Sequence, residues 1–204
     1  MPLYNASDWY WTVAGDETRV FSSNAQAYVP VDDPAFTAWS EQGRKPTRIE
    51  SEDSLAAVLA PFGLAVRLAD LKAMLRAAVD AAAEAQRLLL ITPGSGQAIE
   101  YQEAYAEAVQ VDAAVKANAG ATFDPAAFPM LSASLGYDLD PTTGKPTTDI
   151  AGEARAVLAA YDAYQKAGAA IRGVRLKGKA AIDAAVDAAA ANAAFVAIAW
   201  SSLT

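Results

Sequence analysis

Several short patterns in this chain contain residue types that could do chemistry, and the first is a glycine-rich turn. Gly94, Ser95 and Gly96 precede a predicted helix, and the N–H groups at a helix start can bind phosphate. A P-loop, however, needs a lysine and a hydroxyl directly after its last glycine. Gln97 and Ala98 stand at those positions, so the pattern favours a helix-breaking turn over a phosphate site.

The second pattern alternates oxygen-bearing side chains as a calcium-binding loop does. Asp138, Asp140 and Thr142 are spaced like the first ligands of such a loop. Gly144 falls at the seventh position of the loop instead of the sixth, and the closing glutamate is missing. These departures favour a solvated turn over a metal site.

A third pattern places carboxylates at helical spacing. Glu100, Glu103 and Glu107 could present paired carboxylates for acid–base catalysis. No second group of catalytic residue types accompanies them in the sequence. A solvated helix face is therefore the favoured interpretation.

The fourth pattern is a basic cluster in the last third of the chain. Its members are Arg172, Arg175, Lys177 and Lys179. They could bind an acidic partner surface. Pairing with Asp162, with Asp183 or with a neighbouring helix of the same protein is the favoured alternative.

The composition excludes several classes of site. The 204-residue chain contains no cysteine and no histidine, which removes disulfides, cysteine/histidine zinc sites and histidine-dependent triads. The net charge of −8 argues against nucleic acid and anionic membranes as partners, since both attract basic patches. No signal peptide is predicted, and residues 188–200, the most apolar stretch, are too short to span a membrane. We therefore predict a protein that is not an enzyme and has no cofactor or metal site.

Residues 1–49 are predicted to form a small aromatic head. Segments rich in β-favouring residues and separated by turns predict three strands, at residues 9–13, 18–22 and 27–31. Asp33 then caps a short helix that ends at Gly43. The head is thus an antiparallel β-meander with one helix, followed by a polar linker at residues 44–50. Its tryptophans are more typical of a core than of a binding platform.

Residues 50–204 are predicted to form an alanine-rich helical body. Apolar residues at three–four spacing predict long helices at about residues 65–91, 97–118 and 147–200. The fold class is therefore α+β and mainly α, with long antiparallel helices forming a hairpin or a bundle behind the head.

The C-terminal helix is the longest predicted element. Its apolar stripe follows the heptad period, and no proline interrupts it. An unbroken helix over residues 147–200 would span roughly 80 Å, so it should project or bend. Gly168, Gly173 and Gly178 are the expected place for a bend, because glycine destabilises a helix interior. Its expected partner is the helix at 65–91, in the same chain or in a copy.

Aromatic and apolar side chains of the head and of the C-terminal helix are the predicted partner interface. They are Trp9, Trp11, Tyr28, Trp39, Tyr161, Tyr164, Ile171, Ile182 and Val196. Alanine seams bury little apolar area per residue. We therefore also predict that the chain forms a homo-oligomer.

Several segments resemble proteins of tailed phages. The head, with the motifs VFSS, AYVPVDDPAFTAW and G-x-x-P-T-R-I, resembles small proteins encoded beside tail-fibre genes in phages and prophages of proteobacteria. The segment EAQRLLLITPGSGQAIEYQEAYAEA resembles a phage-tail module in which a helix ends in ITPGxGQ and resumes with YQ-x-x-x-x-EA. FPML and AAYDAYQKAGAAIRGVRLKGKAAIDAA resemble the closing part of that module.

The resemblance implies a phage-tail protein and supplies no catalytic residues. One alternative is a structural component of the virion, in the tail, baseplate or fibre. The other is a chaperone for fibre assembly, present in the host cytoplasm and absent from mature particles. Other tail and fibre proteins would be the partners, and the threefold and sixfold sites of tails suggest a trimer or a ring. An enzyme using Asp138 and Asp140 is a third and weaker alternative.

Overall fold

The computed structural model describes residues 5–91 and 95–200. It is mixed α+β, with 61% helix and 9% strand, and its N-terminal four-stranded sheet is followed by long helices. The predicted fold class, α+β and mainly α, is confirmed.

The chain forms two compact units. The first contains residues 5–83 and 173–200, and the second contains the described residues between them. Both boundaries fall inside long helices. The predicted division into a head at residues 1–49 and a body at residues 50–204 stays a prediction.

Four strands form the N-terminal sheet in the order β3-β2-β1-β4. Their bounds are β1 Tyr10–Val13, β2 Arg19–Ser22, β3 Ala27–Pro30 and β4 Thr47–Ile49. The first three strands pair antiparallel, as the predicted meander requires. β4 pairs parallel to β1, with Trp11 opposite Thr47. The predicted linker at residues 44–50 is therefore wrong in its second half, where two β-branched residues, Thr47 and Ile49, extend the sheet.

The described residues form seven α-helices. Their bounds are α1 Pro34–Ser40, α2 Glu52–Leu59, α3 Leu68–Leu88, α4 Ser95–Ala117, α5 Pro129–Ser134, α6 Ile150–Ala184 and α7 Ala188–Val196. α1 begins as predicted, because the Asp33 side chain accepts hydrogen bonds from two N–H groups of its first turn. It ends at Ser40, before the predicted Gly43.

The core of the sheet extends into α2. Leu55 and Leu59 are fully buried, and they pack with Trp11 and Phe21 of the sheet. A polar contact adds to this packing, since the Tyr28 hydroxyl donates to the Glu52 carboxylate at 3.0 Å. Burial and this carboxylate raise the pKa of Tyr28 to about 12.

In the first unit, α3 and α6 pack antiparallel within one chain. Lys72 of α3 donates to the carbonyl oxygen of Asp183 at 2.8 Å, whereas Asp80, two turns further along α3, pairs with Arg175. Increasing numbers on one helix therefore meet decreasing numbers on the other. The predicted pairing of these two helices is confirmed, and it occurs within one chain.

The predicted single helix over residues 147–200 is wrong. α6 ends at Ala184 and α7 begins at Ala188, where the Asp187 side chain accepts a hydrogen bond from the N–H of Ala190 at 2.8 Å. The break lies at an aspartate N-cap, because such a cap stabilises a new helix start. It also changes which residues face inward, since Ala188 and Ala191 are buried.

Gly168, Gly173 and Gly178, where a bend was expected, all lie inside α6, so the helix continues through them. A Cβ at Gly173 would meet nothing within 4 Å, whereas a Cβ at Gly178 would lie 2.5 Å from Cδ1 of Ile198. Gly178 is therefore a close-packing position, and Gly173 is not.

We expect Gly173→Ala to stabilise the first unit by about 0.5–1 kcal/mol, because alanine is the better helix former. Gly178→Ala should lack this gain, since Ile198 must move to admit the new methyl group. Urea unfolding followed by tryptophan fluorescence measures both variants, because all four tryptophans, at positions 9, 11, 39 and 200, belong to this unit. Equal stabilisation by both variants would show that Ile198 does not constrain position 178.

The second unit is built on α4, α5 and the first part of α6. Its core contains Ala108 and Val111 of α4, Leu131 of α5, and Ile150 and Ala154 of α6. The rings of Tyr105 and Tyr161 stack with their centroids 3.9 Å apart. The apolar residues of α4 and α6 therefore cover each other through small side chains and one aromatic pair.

Candidate functional site

The structure places some of the predicted interface residues inside the chain's own cores. The buried ones are Trp11, Trp39, Ile171 and Ile182, each at most 5% exposed. Those at an intermediate depth are Trp9, Tyr28 and Tyr164. Val196 is 81% exposed and Tyr161 is 37% exposed. Trp11 and Trp39 thus have the predicted core role, and an interface formed by the remaining residues stays a prediction.

Two members of the basic cluster bind a carboxylate of the neighbouring helix. Arg175 donates to Asp80 at 2.5 Å, and Lys179 donates to its other oxygen at 2.7 Å. The Lys179 ammonium and the Arg175 guanidinium hold the pKa of Asp80 below its usual value. The interpretation of these cations as partners of a neighbouring helix is confirmed for this pair.

The aspartates with calcium-loop spacing do not act together. Asp140 is buried, and its carboxylate pairs with Arg155 at 2.5 Å. This contact, together with the N–H of Thr142, lowers the pKa of Asp140 to about 2. Asp140 therefore anchors the loop before α6, and its predicted solvation is wrong. Within the described residues, no three acidic side chains are grouped to hold a metal ion.

Asp138 faces a different partner, the carboxyl group of Glu153 in the first turn of α6. Glu153 is fully buried, and its Oε2 accepts a hydrogen bond from the Thr147 hydroxyl at 2.5 Å. Its Oε1 has no hydrogen-bond partner among the described residues. Burial raises the pKa of Glu153, and Asp138 adds to the rise, against the opposing effect of the Thr147 bond. The protonated form of Glu153 therefore fits these surroundings better than its carboxylate does.

One glutamate of the predicted solvated face has a structural contact. Glu107 accepts hydrogen bonds from the N–H groups of Met130 and Leu131 at 3.1 Å. It therefore satisfies the start of α5, a helix that begins at Pro129 without a side-chain cap. Glu100 and Glu103 are exposed, as predicted.

A groove of about 430 Å³ lies on the head beside Trp39. Arg44 lines it, with its guanidinium 5.8 Å from the Trp39 ring centroid and 3.5 Å from the Asp8 carboxylate. The Trp39 indole N–H is buried without a hydrogen-bond partner among the described residues. Because Arg44 and Asp8 offset each other, the groove offers no unpaired charge that would select a ligand.

The most unusual surface of the second unit is apolar. Six exposed apolar side chains lie at the last residue of α3, in the segment directly after it and in the first turns of α4, and we call them the apolar corner: Leu88, Leu89, Leu90, Ile91, Ile99 and Tyr101. Leu89 is 75% exposed and Ile99 is 58% exposed. Four peptide steps separate residue 91 from residue 95, so the Cα atoms of these two residues are at most about 15 Å apart.

Isolated exposed apolar residues are ordinary, but a cluster of this size is not. Together the six side chains expose apolar surface on the order of several hundred Å², the range in which surface patches become functional. Four of them are consecutive in the chain, which a folded surface tolerates poorly without a covering partner. The apolar corner is therefore the best candidate for a functional site.

No protein-family model, curated protein or solved structure matches this chain. In the part of the chain that the structure describes, no helix is long and apolar enough to cross a membrane. The functional proposal therefore rests on the chain's own surfaces and on the phage-tail relationship predicted from its sequence.

The sequence contains a signal for the apolar corner that the helical pattern obscured. Residues 88–91 read Leu-Leu-Leu-Ile, and one face of a helix cannot bury four consecutive side chains. The predicted helix at 65–91 included these four residues, although α3 ends at Leu88. In the helix that follows, Ile99 and Tyr101 are exposed as well.

Proposed function

We propose that this chain is a non-enzymatic structural component of a bacteriophage tail, retained in the virion at the tail, baseplate or fibre. The observation that carries the proposal is the apolar corner. Leu89 and its neighbours expose apolar surface to water, and a partner protein that covered this surface would gain binding free energy from its burial. A protein whose role is to join other proteins needs such a surface and needs no catalytic residues.

Two further features support this proposal. The motifs of the head and of residues 84–108 resemble phage-tail proteins. In addition, α3 and α6 are long helices of 21 and 35 residues, and long helices can hold binding surfaces at a distance from each other. Other tail and fibre proteins are the partners under this proposal.

The test is mass spectrometry of purified, DNA-filled particles of the parent phage. We expect peptides of this chain at intensities near those of the fibre proteins, with the tail-tube protein as the reference for copy number. Peptides that are absent from particles but abundant in the infected-cell lysate would contradict a virion role. That result would favour the alternative, an assembly chaperone that leaves before the particle is complete.

A further inference from the structure

α4 has a second apolar stripe on the side opposite its core contacts. This outer stripe consists of the exposed apolar residues Ile99, Ala106, Val109 and Ala113, at steps of seven, three and four, and the exposed Gln102 stands between the first two. Ile99 is 58% exposed and Val109 is 42% exposed, whereas Ala108 and Val111 on the opposite side are at most 1% exposed. A helix that is apolar on two sides buries one in its own unit and leaves the other for a partner.

The spacing of the outer stripe identifies the shape of that partner. Steps of seven, three and four follow the heptad repeat, which packs best against another α-helix with the same repeat. From Ile99 to Ala113 the stripe extends about 21 Å along α4. At its N-terminal end it joins the apolar corner through Ile99, which belongs to both surfaces.

The charged residues near the outer stripe indicate the sign of the charge that a partner should carry. Glu100 and Glu103 are exposed, and neither forms an ion pair with a described residue. The one basic residue of α4, Lys116, is already paired with Asp112 at 2.6 Å. Two carboxylates are thus left unpaired beside the apolar surface, and lysine or arginine on a partner would complement them.

We propose that the outer stripe of α4 and the apolar corner bind an amphipathic α-helix of another protein, with lysine or arginine flanking its apolar stripe. This proposal rests on the proposed function and specifies the chemistry of the tail partner. A second copy of α4 fits less well. It would bring the same unpaired Glu100 and Glu103, and it would bring no free cation to balance them.

The test uses the whole chain and two synthetic helical peptides of about 18 residues, which is about five turns. Both peptides carry one leucine stripe; one has lysine and the other has glutamate beside the stripe. Fluorescence anisotropy of each labelled peptide measures binding. We expect the lysine peptide to bind at least about tenfold more tightly than the glutamate peptide, and to weaken as salt is raised.

Variants then locate the binding surface. The double variant Ile99→Ser/Val109→Ser should weaken binding of the lysine peptide by about tenfold or more, because it removes exposed apolar contacts without touching a core. Val186→Ser, at an 83% exposed position of the first unit, is the matched control and should bind as the original chain does. Glu100→Gln/Glu103→Gln should reduce both the affinity and its salt dependence.

Three outcomes would overturn the proposal. Equal binding of both peptides would exclude selection by charge, and unchanged binding by the Ile99/Val109 double variant would place the surface elsewhere. Self-association in light scattering that is lost in the double variant would make a second copy the occupant. Peptide binding is independent of particle composition, so a chain absent from particles but selective for the lysine peptide would refute only the virion role.

Discussion

Phe21→Ala is expected to lower the free energy of unfolding of the first unit by about 3–5 kcal/mol, the usual effect of emptying a buried phenylalanine site. Phe21 has no exposed surface. It lies opposite Trp11 across the β1–β2 pair, and its ring meets the Tyr28 ring edge-on at 5.5 Å. Because strands and α2 both contribute to this core, the cavity cannot close by the movement of one side chain.

The measurement is urea unfolding followed by tryptophan fluorescence, which reports on the first unit. Phe62→Ala is the matched control, since it removes the same side chain at a position that is 55% exposed, where surface changes are usually within about 0.5 kcal/mol. If the two variants lost similar stability, the sheet and α2 would not share a packed core as the structure describes.

Leu59→Ala extends the test to the predicted boundary after residue 49. Leu59 is fully buried in the same core, so its truncation should cost about 2–5 kcal/mol. A head that folded without α2 would leave tryptophan-detected stability nearly unchanged in this variant. A large loss would show that the sheet depends on residues beyond position 49.

Local patterns predicted the elements whose causes are local. Asp33 before Pro34 predicted the start of α1, because an N-cap needs only the next three residues. The three–four repeat of apolar residues predicted α3, α4 and α6 to within a few residues at most ends. The pairing of α3 with α6 followed from their length and small side chains, and Asp80 with its two cations fixes its register.

Features that depend on distant or competing contacts were missed. β4 has three residues and becomes a strand only because β1 lies beside it. The glycines of α6 do not end the helix, because burial of Ile171 and Ile182 on either side of Gly173 and Gly178 stabilises it. The apolar corner was missed because helical spacing assigns every leucine a buried face, whether or not a partner element exists.

Glu153 provides the prediction with the clearest pH dependence. Its pKa in the folded chain is raised above the ordinary value of 4.5. A raised pKa means that the folded state favours the protonated acid. The stabilisation is therefore complete below pH 4.5 and is lost as the pH rises through the raised pKa.

Glu153→Gln should remove this dependence. The amide oxygen can accept the Thr147 hydrogen bond, and the amide N–H₂ can donate toward Asp138 without carrying a charge. Below pH 4.5 we expect the variant and the original chain to be equally stable. At pH 7 the variant should be more stable by about 1–3 kcal/mol, the usual penalty for a buried group that lacks a partner.

The measurement is urea unfolding at a series of pH values between 4 and 8, followed by far-ultraviolet circular dichroism. Tryptophan fluorescence in the same samples follows the first unit and serves as an internal control, because no tryptophan lies among residues 84–172. Asp138→Asn is a second variant, and it should reduce the pH dependence only in part, since burial is the larger cause of the raised pKa. A stability difference between Glu153→Gln and the original chain that stayed constant from pH 4 to pH 8 would exclude ionisation of Glu153 as its source.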